Sequence, residues 1–222
     1  MRPGLENIIT RLLIDGVFFA EGLEPGLCSD ELVAQYPQIF IRPTAATTLR
    51  PMDTTESTPN TYSGYYGRRD FPPHTDLAHY RTTPRFFLLR CVKGDADVAT
   101  SVIDGVNIIR SIDKMLASRA LVKPRRPISN RLPLMRFFDP QRGSKGLIRW
   151  DERYIRPANA AGTAAIQQFS KALADSRHLS YVLNRPGDIL ILDNWRMLHG
   201  RSSVDDQSSQ RVIERVYFGA NN

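Results

Sequence analysis

The apolar positions along the chain fall into short runs of two kinds. Residues 5–14 (LENIITRLLI) space their apolar side chains at helical intervals, and Val17-Phe18-Phe19 follows as a strand-like run. Ser29 with Asp30 and Glu31 starts a helix over SDELVAQY, which Pro37 stops. Residues 85–92 (RFFLLRCV) and 98–103 are aromatic, aliphatic and β-branched, as buried strands are. Asp104 then caps an amphipathic helix with Val106, Ile109, Ile112 and Leu116 along one face. Residues 159–176 are Ala-rich and helical. Tyr181-Val182-Leu183 and residues 188–192 read as two strands joined by the turn Asn184-Arg185-Pro186-Gly187. Residues 211–218 (RVIERVYF) alternate with period two. Val212, Glu214 and Val216 take one face, and Ile213, Arg215 and Tyr217 the other. Residues 43–73, rich in Thr, Pro, Ser, Gly and Tyr, predict a long loop of the kind that is functional or disordered.

Strands dominate both halves, and helices stand at the start, in the middle and before the last three strands. That order is unlike alternating βαβ units. It predicts a mainly β fold with flanking helices, an antiparallel sandwich or jelly roll. At 222 residues and 41% hydrophobic, the chain suits a single domain, 1–222, with one sizeable core. No stretch approaches the ~18 apolar residues of a membrane span. Glu6 and Asp15 interrupt any signal-peptide order at the N-terminus, so the expected location is cytoplasmic, away from membranes. Cys28 and Cys91 are too few for a disulfide framework or a four-thiolate zinc site, and read as buried reduced thiols.

The net charge of +7 is unevenly spread. Residues 110–156 carry 13 Lys/Arg against 4 Asp/Glu, while the remainder is net −2. Broken by Pro124, Pro127 and Pro133, this segment reads as a basic insert beside a pocket mouth, able to attract anions, or as a solvated surface.

The chain has four histidines, His74, His79, His178 and His199. His74 opens His74-Thr75-Asp76, and in a strand residues two apart face the same side. Both side chains then reach one metal ion. His199, after the apolar run 189–192, is the natural third ligand. Together they would form the 2-His-1-carboxylate triad that leaves open positions on Fe(II). Arg211 and Arg215 follow on the closing strand, where an arginine fork can grip the distal carboxylate of a 2-oxo acid. At about 3.3 Å per residue their Cα atoms lie roughly 13 Å apart, too far for one small dicarboxylate to engage both at their bases. Taken singly, each residue also has a bland reading: a capped loop histidine, a buried hydrogen-bonded histidine, a surface arginine.

The stretches FPPHTDLAHYRTTPRFFLLRCVKG (71–94), TSVIDG (100–105), GDILILDNWRMLHGRSS (187–203) and QRVIERVYF (210–218) resemble the Fe(II)/2-oxoglutarate-dependent dioxygenases of the taurine dioxygenase and clavaminate synthase-like group. The resemblance covers about a third of the chain and implies a double-stranded β-helix fold. It implies His74, Asp76 and His199 as iron ligands. Arg211 would hold the 2-oxoglutarate C5 carboxylate, and Arg215 would lie near 2-oxoglutarate or the substrate. Thr100 would contact 2-oxoglutarate. The family's Gly-Gly-x-Thr is replaced here by Asp97-Val98-Ala99-Thr100, which leaves Ser101 as the alternative.

The activity so implied is hydroxylation or desaturation of a small organic substrate, using Fe(II), 2-oxoglutarate and O2. The carboxylate at Asp76 favours hydroxylation over halogenation. The competing reading is a non-catalytic basic jelly roll that binds nucleic acid or an acidic partner, but the chain lacks the interleaved aromatics of a stacking surface. Three further features complete the inventory. His79 reads as pocket rim or surface and Trp195 as core packing. Tyr62, Tyr65 and Tyr66 either line a substrate pocket or pack amphipathically.

Overall fold

The computed structural model describes residues 7–205 and 210–219. The N-terminal third holds α1 (Ile8–Asp15), β1 (Val17–Ala20), α2 (Ser29–Gln35), β2 (Thr47–Leu49), α3 (Tyr62–Tyr66) and β3 (Phe71–His74). The middle holds β4 (Phe86–Lys93), β5 (Ala99–Asp104), α4 (Gly105–Ser111), α5 (Lys114–Arg119), β6 (Leu121–Pro124), β7 (Met135–Arg136), β8 (Phe138–Asp139), β9 (Leu147–Ile148) and β10 (Ile155–Pro157). The last part holds α6 (Ala160–Ala174), β11 (Leu179–Val182), β12 (Ile189–Asp193), β13 (Met197–Arg201) and β14 (Val212–Phe218).

Two antiparallel sheets face each other. The larger runs β1-β12-β4-β14-β2 and the smaller β11-β5-β13-β3. Between them lies a core of Phe87, Leu89, Val102, Leu190, Leu192, Met197 and Ile213. The other face of the larger sheet is covered by α1 and α2, through Ile8, Leu12, Leu32 and Val33 against Leu88, Ile191, Val216 and Phe218. Both faces of β4 and β12 are therefore buried, which explains their unbroken apolar runs. Fully burying one such side chain contributes about 1.5–3 kcal/mol.

The sandwich matches the expected mainly β jelly roll with flanking helices. Among the described residues no helix is long and apolar enough to cross a membrane. Three local expectations are corrected. Residues 43–73 contain β2, α3 and β3 rather than loop alone. The helix capped by Asp104 breaks after Ser111, because Asp113 caps a second helix with its own side chain. Cys28 is exposed, and only Cys91 is buried. The two strands joined by the turn at 184–187 are present as expected, as β11 and β12, and they sit in opposite sheets.

The basic segment is no irregular insert. Its strands β6, β7 and β10 form a sheet of their own. Phe137, Ile148, Trp150 and Ile155 share a core with Phe169 of α6 and with Ile103, Val106 and Leu198. Most of its charges stay outside, and on β6 alternate residues point inward, where Val122 and Pro124 are buried. Arg149 and Asp151 are the buried charges, Arg149 donating to the carbonyls of Ala78, Tyr80 and Arg81.

Candidate active site

His74 ends β3 and stands directly opposite His199, in the middle of β13. Asp76 lies beyond the end of β3, so the expectation that His74 and Asp76 share a strand face is corrected. A side-chain clamp holds Asp76 instead. Its N–H donates to Asn194 Oδ1 at 2.7 Å, and Asn194 Nδ2 donates back to the Asp76 carbonyl at 3.0 Å. The intervening Thr75 donates its N–H to the Trp150 carbonyl at 2.8 Å, which fastens the motif to the basic segment.

Three buried side chains converge. One ligand atom from each of His74, Asp76 and His199 lies within 4.8 Å of the others. His74 Nε2 is 3.2 Å and His199 Nε2 3.8 Å from Asp76 Oδ1. His74 Nδ1 lies 3.1 Å from the Pro72 carbonyl and donates to it, which leaves Nε2 as an acceptor when the ring is neutral. Two acceptors, Nε2 and Oδ1, then face each other at van der Waals separation or closer. A cation between them resolves the contact.

The protonation states suit that cation. Burial and the neighbouring His74 push His199 down to about 3, so its imidazole is neutral. Burial opposes ionisation of Asp76, but the Arg215 cation and the two histidines overcome it and hold the carboxyl well below the usual range. Arg215 Nη1 and Tyr217 Oη both donate to Asp76 Oδ2, at 3.0 and 2.8 Å. Burial, with the Asp76 charge, pushes the Tyr217 phenol well up, so it remains a donor.

A cavity of about 330 Å³ opens beside these groups. His74, His199, Thr100, Leu89 and Ile213 line it, together with Arg211 and Arg215. Arg211 is 8% exposed, and its Nε is buried without a partner. Burial and Arg201 push its guanidinium down to about 10. Among the described residues no carboxylate pairs with it. Tyr62 and Phe71 also line it, their rings packed on His74 at centroid distances of 4.9 and 4.1 Å, as do Tyr66 and Met52.

All six residues singled out from the sequence, namely His74, Asp76, Thr100, His199, Arg211 and Arg215, meet at or beside this cavity. Thr100 lines it and Ser101 does not. The cavity wall contains no residue of 110–156, so the expected place of the basic segment at the mouth is corrected. The segment reaches the wall from behind. Tyr62 Oη donates to Asp151, and Arg153 Nε donates to Tyr66 Oη at 3.1 Å. His79 stacks on Tyr154 outside the cavity, and Trp195 is 4% exposed, packed as expected. Sequence reasoning missed Asn194, Asp151 and Tyr217. For Tyr217 the signal existed, since period-two alternation puts it on the face of Arg215.

Residues 29–217 match the model of the taurine catabolism dioxygenase TauD, TfdA family. The chain belongs to this family. Clavaminate synthase 2 of Streptomyces clavuligerus is similar to it, with 25% identity over 164 residues, 65% of this chain and 48% of the relative. The chain thus spans about half the length of that curated relative. PvcB of Pseudomonas aeruginosa shares the fold at TM-score 0.67 and 17% identity, covering 96% of this chain and 79% of PvcB. An asparagine oxygenase superposes at TM-score 0.59 and 17% identity, over 78% of this chain and 56% of that one. The cavity of this TauD, TfdA family member lies between the two sheets, with all three candidate ligands on or next to the smaller one.

Proposed function

We propose that this chain is an Fe(II)- and 2-oxoglutarate-dependent oxygenase that hydroxylates or desaturates a small organic substrate, releasing succinate and CO2. One observation carries the reading. Three metal-type donors and a buried arginine without an anion meet in a single cavity. Two imidazoles and one carboxylate are the donor set of non-haem Fe(II) oxygenases. When bound, Fe(II) supplies the activation of O2 at the positions that three protein ligands leave open.

The chain's own residues do the remaining work. Asp76 ionised and His199 neutral are the states in which both bind a metal. Arg211 grips the distal carboxylate of 2-oxoglutarate through two parallel charge-assisted hydrogen bonds, and Thr100 adds its hydroxyl from the neighbouring wall. Leu89 and Ile213 keep that end dry, which strengthens the ion pair. Tyr62, Tyr66 and Phe71 form the aromatic wall along which a small substrate reaches the site.

The solved relatives support the assignment. The asparagine oxygenase holds Fe(II), 3-hydroxyasparagine and succinate. PvcB is described as an Fe, alpha-ketoglutarate dependent oxygenase from an isonitrile synthetic pathway.

The test is succinate release. Supplied with Fe(II), 2-oxoglutarate and air, the protein should form succinate slowly even without substrate, and His199→Ala should not. A non-catalytic binding module would form none, and full succinate release in His199→Ala would sink the assignment.

A further inference from the structure

The two carboxylate oxygens of Asp76 have different surroundings. Oδ1 faces the ring nitrogens of His74 and His199. Oδ2 turns toward β14 and accepts from Arg215 Nη1 at 3.0 Å and from Tyr217 Oη at 2.8 Å. The side chain is 1% exposed, so no water competes for either oxygen. An oxygen that already accepts two hydrogen bonds, one of them from a cation, is a poor donor to a second cation.

We propose that Tyr217, acting with Arg215, is a positioning residue that makes Asp76 a one-oxygen ligand through Oδ1 and so keeps one more metal position open for the co-substrate. This rests on the reading of His74, Asp76 and His199 as a metal site.

Tyr217 acts in two ways. Its hydroxyl bonds Oδ2 directly. Its ring lies under the Arg215 guanidinium, with Cζ 4.8 Å from the ring centroid, while Arg215 Nε has no hydrogen-bond partner. The ring therefore helps to aim the guanidinium at the same oxygen. The backbone fixes Tyr217 in turn. It pairs with Phe87 on β4, and its N–H donates to Thr44 Oγ1 at 3.1 Å. Arg215 is thereby engaged by Asp76, a different task from the contact with 2-oxoglutarate or substrate that the sequence suggested.

The experiment is a Co(II) titration of the metal-free protein, with no 2-oxoglutarate present. Tyr217→Phe keeps the ring and removes only the hydroxyl. It should weaken Co(II) binding about tenfold or more, as the loss of an outer hydrogen bond to a ligand does. The visible spectrum of bound Co(II) should change as Oδ2 becomes free to coordinate. Arg215→Gln should change both in the same direction. A melting temperature of metal-free Tyr217→Phe close to wild type separates this from a general loss of packing. If it melts lower, the spectrum of bound Co(II) recorded below that melting decides. Wild-type Co(II) affinity and spectrum in both variants would overturn the positioning role alone. A wild-type protein that binds no Co(II) would overturn the metal-site reading, and this role with it.

Discussion

His74 and His199 face each other across the pairing of β3 with β13, their ring centroids 4.3 Å apart. Their separation is therefore set by how closely two backbones approach, and one residue governs that approach. A Cβ on Gly200 would lie 2.6 Å from the Phe71 carbonyl oxygen and 2.9 Å from Ser101 Oγ. Gly200→Ala must push β3 away from β13, next to the register shift between His199 and Arg201. The expected loss of stability is about 1–3 kcal/mol, as for other overpacked sites. Co(II) affinity should fall with it. A variant that melts and binds Co(II) like wild type would show that β3 moves without parting the histidines.

Arg211 should control co-substrate affinity and nothing else. The loss of a partly buried bidentate pair costs a few kcal/mol, or about tenfold to several hundredfold in affinity. Arg211→Ala should raise the apparent KM for 2-oxoglutarate by that factor and leave Co(II) binding intact. Arg211→Lys should recover only part, since an ammonium lacks the planar fork. Unchanged 2-oxoglutarate affinity in Arg211→Ala would remove Arg211 from the site.

The turn at residues 151–154 ties down the wall of the cavity that carries Tyr62. Asp151 accepts from Tyr62 Oη, and Tyr154 Oη donates to the Asn60 carbonyl at 2.7 Å. Charged hydrogen bonds of this kind contribute about 1.5–3 kcal/mol. Asp151→Ala should free α3, and trypsin should then cleave after Arg68 or Arg69 at least several-fold faster. Affinity for 2-oxoglutarate should not change. Equal cleavage rates in variant and wild type would mean that α3 is held by ring packing alone.

Asp193 gives a pH dependence with a definite sign. Burial pushes its carboxyl from 3.8 up to about 6, although Arg85 opposes the shift. As pH rises, the unfolded chain loses this proton first, so ionisation works against folding between those two values and its full effect is present above 6. Asn cannot ionise. The stability of Asp193→Asn relative to wild type should therefore climb by about 3 kcal/mol between pH 4 and 7, and then level off. Urea melts across that range check it. A difference that stays constant with pH would mean that Asp193 is ionised throughout.

The sequence disclosed the candidate metal ligands because their chemistry is rare along the chain. Few histidines compete, and His74-Thr75-Asp76 is short enough to read directly. Strand β14 was equally plain, since alternating apolar and charged residues settle which side Arg215 takes. Strand β13 was not visible. Its sequence, MLHGR, has no alternation, because it is buried on both faces along most of its length. The register of His199 against His74 depends on pairing between residues more than a hundred positions apart, which no local pattern encodes. The basic segment misled for another reason. Its charge count dominated the reading, while the residues that decide its fold, such as Phe137, Trp150 and Ile155, are few and widely spaced.

Arg90 separates two boundaries that are easily confused. The match to the family begins at residue 29. Yet the buried guanidinium of Arg90, in the centre of the larger sheet, is satisfied by the carbonyls of Leu23, Glu24 and Leu27. A fragment starting at Ser29 would keep every candidate catalytic group but strip that buried cation of its three carbonyl acceptors. It would also leave β12 as a bare edge where β1 now pairs. The stretch that matches the family model is thus shorter than the stretch that must fold, and β1 with the turns at residues 23–27 belongs to its foundation.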